Sequence, residues 1–321
     1  LLSLCGKVIH KLLQMAMLTC GYNMKPLYMW AGGKNKMIPK YLETPNIPKT
    51  GYDTFVEPFF GGGAMTIWIY KNCPDVKRFV INDVKHEIMG IYKAIKEDCE
   101  LFLKRMDELS ALYLPLDKAG RKAFYYDLRT EYTTDWTKWS YTVESATLYF
   151  LMKTAFNGIW QSTQAAQGRF ATPCGLLNQK DAVYDKENVL EWHKFLQLAD
   201  LYHIDWRSAC ANIRGRAFYF MDPPYRDSFT SYGGSFDDIE HTKLIDFCKQ
   251  KDKQGDFVFY CNRDDSGDGF FDANKGLLST QNYDIKYTAG RRKTNADGTK
   301  SAKAAKEILL YSSRLAPITL C

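Results

Sequence analysis

Residues 217–225 read Ala217-Phe218-Tyr219-Phe220-Met221-Asp222-Pro223-Pro224-Tyr225, an apolar run that stops at an acid, two prolines and an aromatic ring. Five consecutive apolar residues, rich in aromatics and bounded by prolines, predict a strand buried in a parallel sheet. In an open α/β fold such a strand delivers whatever follows it to the carboxyl edge of the sheet, where ligands bind. The tail therefore presents a carboxylate, a rigid backbone carbonyl and an aromatic face at one place. These groups can hold a planar, amine-bearing ring while its nitrogen attacks an electrophile. An ordinary Asp-Pro turn after a strand is the simpler reading, and only a second motif can displace it.

That motif lies upstream. Residues 53–57 read as a strand that runs into Glu57-Pro58-Phe59-Phe60-Gly61-Gly62-Gly63, with a helix starting near Ala64. Glycine lets the backbone turn sharply and approach a ligand closely. Dinucleotide-binding folds share the strand, glycine turn and helix. Here, however, there is no G-x-G-x-x-G, and no lysine follows the glycines as a phosphate loop requires. Glu57 beside the turn repels phosphates and suits a ligand with a positive charge or hydroxyls. Residues 78–82 form a further strand ending at Asp83, a carboxylate placed either to bind a ribose or to cap the next helix. Trp30-Ala31-Gly32-Gly33-Lys34 is a third motif, by itself a glycine turn carrying a base.

Seven strands are predicted in all, at 53–57, 78–82, 201–205, 217–221, 256–261, 283–287 and 307–312, with helical patterns such as 87–109 and 241–251 between them. Alternation of this kind implies a mostly parallel sheet covered on both faces. The interval 98–198 breaks the alternation. It is helical and aromatic, with Tyr125, Tyr132 and Trp136 among its core candidates, and reads as an insertion with its own core. Within it, 155–175 loses the apolar period and gains Asn, Gln, Ser and Thr, a surface able to reach base edges. The expected organisation is an extension at 1–23, a catalytic domain at 24–97 and 199–313, a helical target-recognition domain at 98–198 and a tail at 314–321.

The chain of 321 residues carries a net charge of +6, compatible with a nucleic-acid partner. Arg291-Arg292-Lys293, with Lys300, Lys303 and Lys306 nearby, forms a basic loop suited to phosphates. Nine cysteines are scattered without C-x-x-C pairs and five histidines form no H-x-x-x-H, so neither a metal site nor a secreted disulfide framework is expected. A reducing, cytoplasmic setting follows. Lys7, His10 and Lys11 interrupt the apolar clusters of 1–23, which argues against a membrane span or secretory signal.

Taken in order, Trp30–Lys34, Pro58–Gly63, Phe156-Asn157-Gly158, Gly168-Arg169-Phe170 and Asp222–Tyr225 resemble the Dam-type DNA adenine methyltransferases, the alpha group of amino-methyltransferases, over residues 25–313. The resemblance implies a Rossmann-like, S-adenosylmethionine-dependent methyltransferase sheet of seven strands, the last two a hairpin, with an inserted helical target-recognition domain. It implies transfer of a methyl group to the N6 amine of an adenine flipped out of double-stranded DNA, leaving S-adenosylhomocysteine. Asp222, Pro223, Pro224 and Tyr225 would be catalytic, the amine bonding to Asp222 and the Pro223 carbonyl while Tyr225 stacks on the base. Glu57, Pro58, Phe59, Gly61 and Gly63 would surround the donor's methionine and sugar, and Asp83 would bind its ribose. Asp205 and Trp206 would meet its adenine, Trp30, Ala31 and Lys34 would close over the methionine, and Asp222 would also bind the donor. Asn157, Ile159, Gln161, Arg169, Arg291, Arg292 and Lys293 would contact DNA, with the protein acting as a monomer.

Departures from the family pattern fall in the specificity elements. Met29 stands where GATC-reading relatives carry Lys, Gln161 where they carry Arg, and Gly175-Leu176-Leu177 where they carry Gly-Arg-Tyr. Arginine favours guanine and glutamine adenine, each pairing worth about 1–3 kcal/mol. A recognition site other than plain GATC, or relaxed specificity, is therefore expected. The alternatives are an enzyme acting on cytosine N4 or RNA, and a DNA-binding protein without activity. Restriction-modification, replication marking and viral genome protection are all compatible settings.

Overall fold

The computed structural model describes residues 24–30, 32–163, 166, 168–226, 236–287, 293–294, 300–301 and 303–315. Its strands are β1 (Thr54–Glu57), β2 (Arg78–Asn82), β3 (Ala199–Tyr202), β4 (Ala217–Met221), β5 (Phe257–Arg263), β6 (Ser279–Tyr287) and β7 (Lys303–Tyr311). They form one mixed Rossmann-like sheet in the order β3-β2-β1-β4-β5-β7-β6. Strand β1 pairs in parallel with β2 and β4, and β4 with β5. The hairpin partner β7 then runs antiparallel between β5 and β6.

The helices are α1 (Ile38–Glu43), α2 (Ala64–Asn72), α3 (His86–Glu97), α4 (Cys99–Tyr113), α5 (Lys118–Thr134), α6 (Tyr141–Thr154), α7 (Lys186–Leu196), α8 (Trp206–Cys210), α9 (Asp238–Lys253) and α10 (Phe270–Asn274). The chain divides into two compact units. One contains the described residues up to Gly33, with Gly61–Pro74 and Lys85–His203. The other contains Lys34–Phe60, Asp75–Val84 and the described residues from Ile204 onward.

In the sheet-bearing unit every residue of β4 is buried, as a central parallel strand requires. Phe55, Phe218 and Phe259 pack edge to face across β1, β4 and β5, with ring centroids 5.5 Å and 5.1 Å apart. Such pairs add roughly 0.5–1.5 kcal/mol each beyond the area they bury. The other unit packs around Trp192 and Tyr92, whose rings lie 5.0 Å apart. The Trp192 indole N–H donates to the Lys25 carbonyl at 2.7 Å.

Several element boundaries differ from expectation: β6 and β7 each begin four residues before the predicted 283–287 and 307–312, and two further differences have a side-chain cause. The apolar period through 87–109 predicts one helix, but the chain forms α3 and α4, separated at Asp98. The Asp98 carboxylate accepts from the Leu101 N–H at 3.3 Å, starting a new helix where the period alone shows no break. The third strand begins at Ala199, two residues before the predicted 201–205, and Asp205 is not in it. That side chain caps α8 instead, which ends the extended stretch early.

Candidate active site

Parallel pairing places Val56 opposite Tyr219, so the loops after β1 and β4 leave the sheet side by side at its carboxyl edge. Glu57 and Pro58 are buried there, and Phe59 is half-buried. Asn82, at the tip of β2, is fully buried and ties the edge together. Its side-chain amide donates to the Pro58 carbonyl at 2.9 Å, and its side-chain oxygen accepts from the Ile204 N–H at 3.0 Å. Asp83 follows, half-buried.

Asp222 forms the centre of the corner. Lys34, only 3% exposed, donates to Asp222 Oδ1 at 2.6 Å and to the Tyr225 hydroxyl at 2.7 Å. The Tyr225 hydroxyl in turn donates to Glu307 Oε1 at 2.9 Å. Burial pushes the Asp222 carboxyl up to about 6, against the opposing pull of Lys34. For Lys34 burial works the other way, yet the carboxylates of Asp222 and Glu307 outweigh it and raise the ammonium above its ordinary value. The pair is thus an ammonium and a carboxylate at neutral pH. Among the described residues Lys34 is the donor to Asp222, through Oδ1, which leaves Oδ2 for a substrate. Lys34, read from sequence as part of a lid on the donor, therefore stands on the acid itself.

The loop carrying Asp222 is anchored just beyond Tyr225. The Arg226 N–H donates to Asn262 Oδ1 at 2.9 Å. Its guanidinium donates to Asp238 at 2.6 Å and Asp268 at 2.8 Å, and lies over the Phe270 ring. Beneath it Tyr260 joins Asn262 to His241, whose Nδ1 is 2.8 Å from the Tyr260 hydroxyl. Burial pulls His241 down to about 4, so it is neutral near pH 7. Sequence reasoning missed Glu307, Asn82, Asn262 and Arg226. For Arg226 the available signal was its position immediately after the tetrapeptide.

Asp205 and Trp206, expected to meet the donor's adenine, stand at the start of α8. Asp205 Oδ1 accepts from the Arg207 N–H at 2.9 Å, making it the cap of α8, and Oδ2 accepts from the Arg207 guanidinium. Trp206 is buried, 6% exposed, with its ring edge-on to Phe247 at 5.4 Å and Arg207 above it at 4.7 Å. Capping sets the first helical residue inward, so the indole packs on protein where a stacking face was expected.

The helical unit contains the glycine turn and the polar segment. Gly61 has φ +51°, and a Cβ there would fall 2.5 Å from the Trp30 indole nitrogen, so the motif requires glycine. The Tyr28 hydroxyl donates to the Gly61 carbonyl at 3.0 Å, while Ala31 lies outside the described residues. In the polar segment Asn157 (φ +57°) and Gln161 are exposed, and Ile159 is half-buried. The Ile159 carbonyl accepts from the Thr172 hydroxyl at 2.7 Å, and the Gln161 N–H donates to that hydroxyl at 3.1 Å. Thr172 thereby fixes the backbone between the exposed side chains.

Arg169, expected to meet DNA, contacts protein groups in this structure. Its guanidinium donates to Glu144 Oε1 at 2.5 Å and lies over the rings of Tyr132 and Trp136, at 4.3 Å and 4.6 Å. The cause is the acid: Glu144 on α6 offers a nearly buried carboxylate that a nearby arginine satisfies. Leu177, one of the departures from the family pattern, is buried with φ +56°. Arg121 holds that bend by donating to the Leu177 and Gln179 carbonyls. Arg291 and Arg292 lie outside the described residues, and Lys293 opens a two-residue antiparallel pairing of Lys293–Thr294 with Lys300–Ser301. Among the described residues no group of three or more His, Cys, Asp or Glu side chains is placed to hold a metal ion. No described helix is long and apolar enough to cross a membrane.

The model of the D12 class of N6 adenine-specific DNA methyltransferases matches residues 30–294. The type II methyltransferase M.MjaIII of Methanocaldococcus jannaschii is 28% identical over 302 residues, covering 90% of this chain and 99% of its own. The type II methyltransferase M.CviBI of Paramecium bursaria Chlorella virus NC1A is 30% identical over 70% of this chain and 79% of its own. The retron Ec67 DNA adenine methylase of Escherichia coli is 24% identical, over 90% of this chain and 92% of its own.

Proposed function

Because the chain belongs to the D12 class of N6 adenine-specific DNA methyltransferases, we propose that it takes its methyl group from S-adenosylmethionine and delivers it to an adenine flipped out of double-stranded DNA. The observation that carries this reading is the meeting of the Asp222 corner and the Glu57 loop on adjacent parallel strands. The groups available there suit such a donor. Glu57 and Asp83 are acids at the tips of β1 and β2, matched to hydroxyls and a cationic sulfonium and mismatched to a polyphosphate. Bound there, the donor would supply an activated methyl group for in-line attack.

The chain's own residues account for the rest. The exocyclic amine of adenine is a poor nucleophile because its lone pair is delocalised into the ring. Accepting its N–H groups at Asp222 Oδ2 and the Pro223 carbonyl draws the nitrogen toward a tetrahedral, electron-rich geometry. Lys34 holds the carboxylate in place through the other oxygen. Tyr225, its hydroxyl fixed between Lys34 and Glu307, offers its ring to the base. A paired base cannot reach this corner, so the adenine leaves the duplex.

Asn157 and Gln161 read base edges from the exposed segment, while Arg291, Arg292 and Lys293 bind phosphates. The protein acts as a monomer inside the cell, on a site other than plain GATC. Single-molecule sequencing of plasmid from cells expressing the chain tests these statements together. The expected result is N6-methyladenine at one short motif. Unmodified adenine, or methylation of cytosine N4, would overturn the proposed chemistry, and complete methylation of GATC would overturn the reading of Gln161. Calorimetric titration with S-adenosylmethionine separately tests the donor.

A further inference from the structure

Glu307 lies on β7, between β5 and β6, 82 residues beyond Tyr225. It is 2% exposed, opposite Arg263 on β5 and Tyr283 on β6. A carboxylate so deeply placed is costly unless paired and hydrogen-bonded. It accepts from the Tyr225 hydroxyl, which in turn accepts from Lys34. The four groups form a chain: Asp222, Lys34, Tyr225, Glu307.

We propose that Glu307 is a positioning residue for methyl transfer, fixing the Tyr225 ring through its hydroxyl and keeping the ammonium of Lys34 seated on Asp222. The inference rests on the methyl-transfer reading above and adds to it a residue from outside the motifs. During transfer, positive charge moves from the donor sulfur to the adenine nitrogen. A carboxylate and a ring already in place hold that nitrogen while its bond to the methyl forms, the bond from sulfur to the methyl breaks and the amine proton passes to solvent. Without Glu307 the Tyr225 hydroxyl loses that acceptor and Lys34 loses a neighbour that favours its charge. The titratable groups facing Asp222 are Lys34, Glu307, Cys261 and Tyr225, with Tyr41 behind Cys261. Of these, Glu307 is the neighbour whose charge raises the Asp222 carboxyl, and Lys34 opposes it.

The test uses the full chain, plasmid DNA and S-adenosylmethionine, with wild-type adenine methylation measured first. If the wild type does not methylate adenine, the functional reading fails; if it does, the variants judge Glu307 alone. Glu307→Gln keeps an acceptor for Tyr225 and removes the charge. It should lower kcat roughly tenfold or more, leave donor affinity by calorimetry within about twofold, and move the acid limb of the pH–rate profile to lower pH. Glu307→Asp keeps the charge and withdraws it from Tyr225. It should lower kcat while leaving the acid limb in place. In a Tyr225→Phe background the cost of Glu307→Asp should shrink, the non-additivity expected of residues acting as a unit. Wild-type kcat with an unmoved acid limb in Glu307→Gln would overturn the proposal. So would donor affinity falling in step with kcat in both variants, the signature of a merely structural residue.

Discussion

The Asp222 corner and the exposed polar segment at 155–175 handle polar side chains in opposite ways. In the corner Lys34, Asp222, Tyr225 and Glu307 are joined to one another, and Arg226 is clamped by two acids. In the segment Asn157 and Gln161 are exposed on a backbone fixed by Thr172. The difference follows from where each region finds its partner. Methyl transfer needs charges already oriented before the substrate arrives, because reorganising them costs free energy at the transition state. Base reading needs donors and acceptors whose partner is the DNA, so they cannot be satisfied inside the protein. Arg169 marks the border. It lies in the polar segment but its guanidinium is held by Glu144 and the rings of Tyr132 and Trp136, which makes it a brace for the exposed amides beside it.

The sharpest way to break the comparison is to remove the centre of the corner. Asp222→Ala takes away the acceptor for the amine and leaves Lys34 without its carboxylate. Methyl transfer should fall by roughly a thousandfold, while donor affinity measured by calorimetry changes only a few-fold. A variant retaining a tenth of the wild-type rate would show that the interlinked corner is scaffold and the chemistry lies elsewhere.

The segment should respond in specificity where the corner responds in rate. Gln161→Arg replaces a side chain suited to adenine by one suited to guanine, worth about 1–3 kcal/mol at one base pair. The expected outcome is a change of roughly 5- to 150-fold in preference at one position of the methylated motif, read by sequencing, with kcat on the best site little altered. An unchanged motif would remove Gln161 from the reading surface. The exposed segment would then owe its amides to solubility.

These regions also differ in how far the sequence reveals them. Strand β4 and the tetrapeptide after it are contiguous, so burial and chemistry are written together in nine residues. Strand β2 was legible in the same way. Glu307 is harder to find, because its bond to Tyr225 spans 82 residues and an acid at the start of a strand reads as solvated. Lys34 was legible as a site residue, but its partner lies 188 residues away, and nothing local distinguishes a lid over the donor from a clamp on Asp222. Trp206 shows the converse. Its type and place after a strand suit a stacking face, but the cap made by Asp205 orients the ring toward Phe247. Asp98 is similar: one side-chain bond divides a helix whose apolar period continues across it.

The smallest effect comes from titrating the corner without mutating it. Asp222 is a raised carboxyl, at about 6, because burial disfavours its charge more than Lys34 restores it. Above that pH it is ionised and accepts the amine; below it the proton occupies the group that must accept. Methyl transfer under saturating donor and DNA should therefore fall as pH drops through about 6, by about tenfold for each further unit. The exposed readers Asn157 and Gln161 do not titrate in this range, so the methylated motif should stay the same while the rate falls. A stability contribution runs in the same window with its own sign. A carboxyl raised in the folded state binds its proton more tightly there than in the unfolded chain, so its contribution is present at low pH and lost as pH rises through about 6. This group therefore does not drive acid unfolding, so activity should fall through about pH 6 while the fold is retained, and a profile in which the two coincide would mean that a different carboxylate, one depressed in the folded state, controls the acid limb.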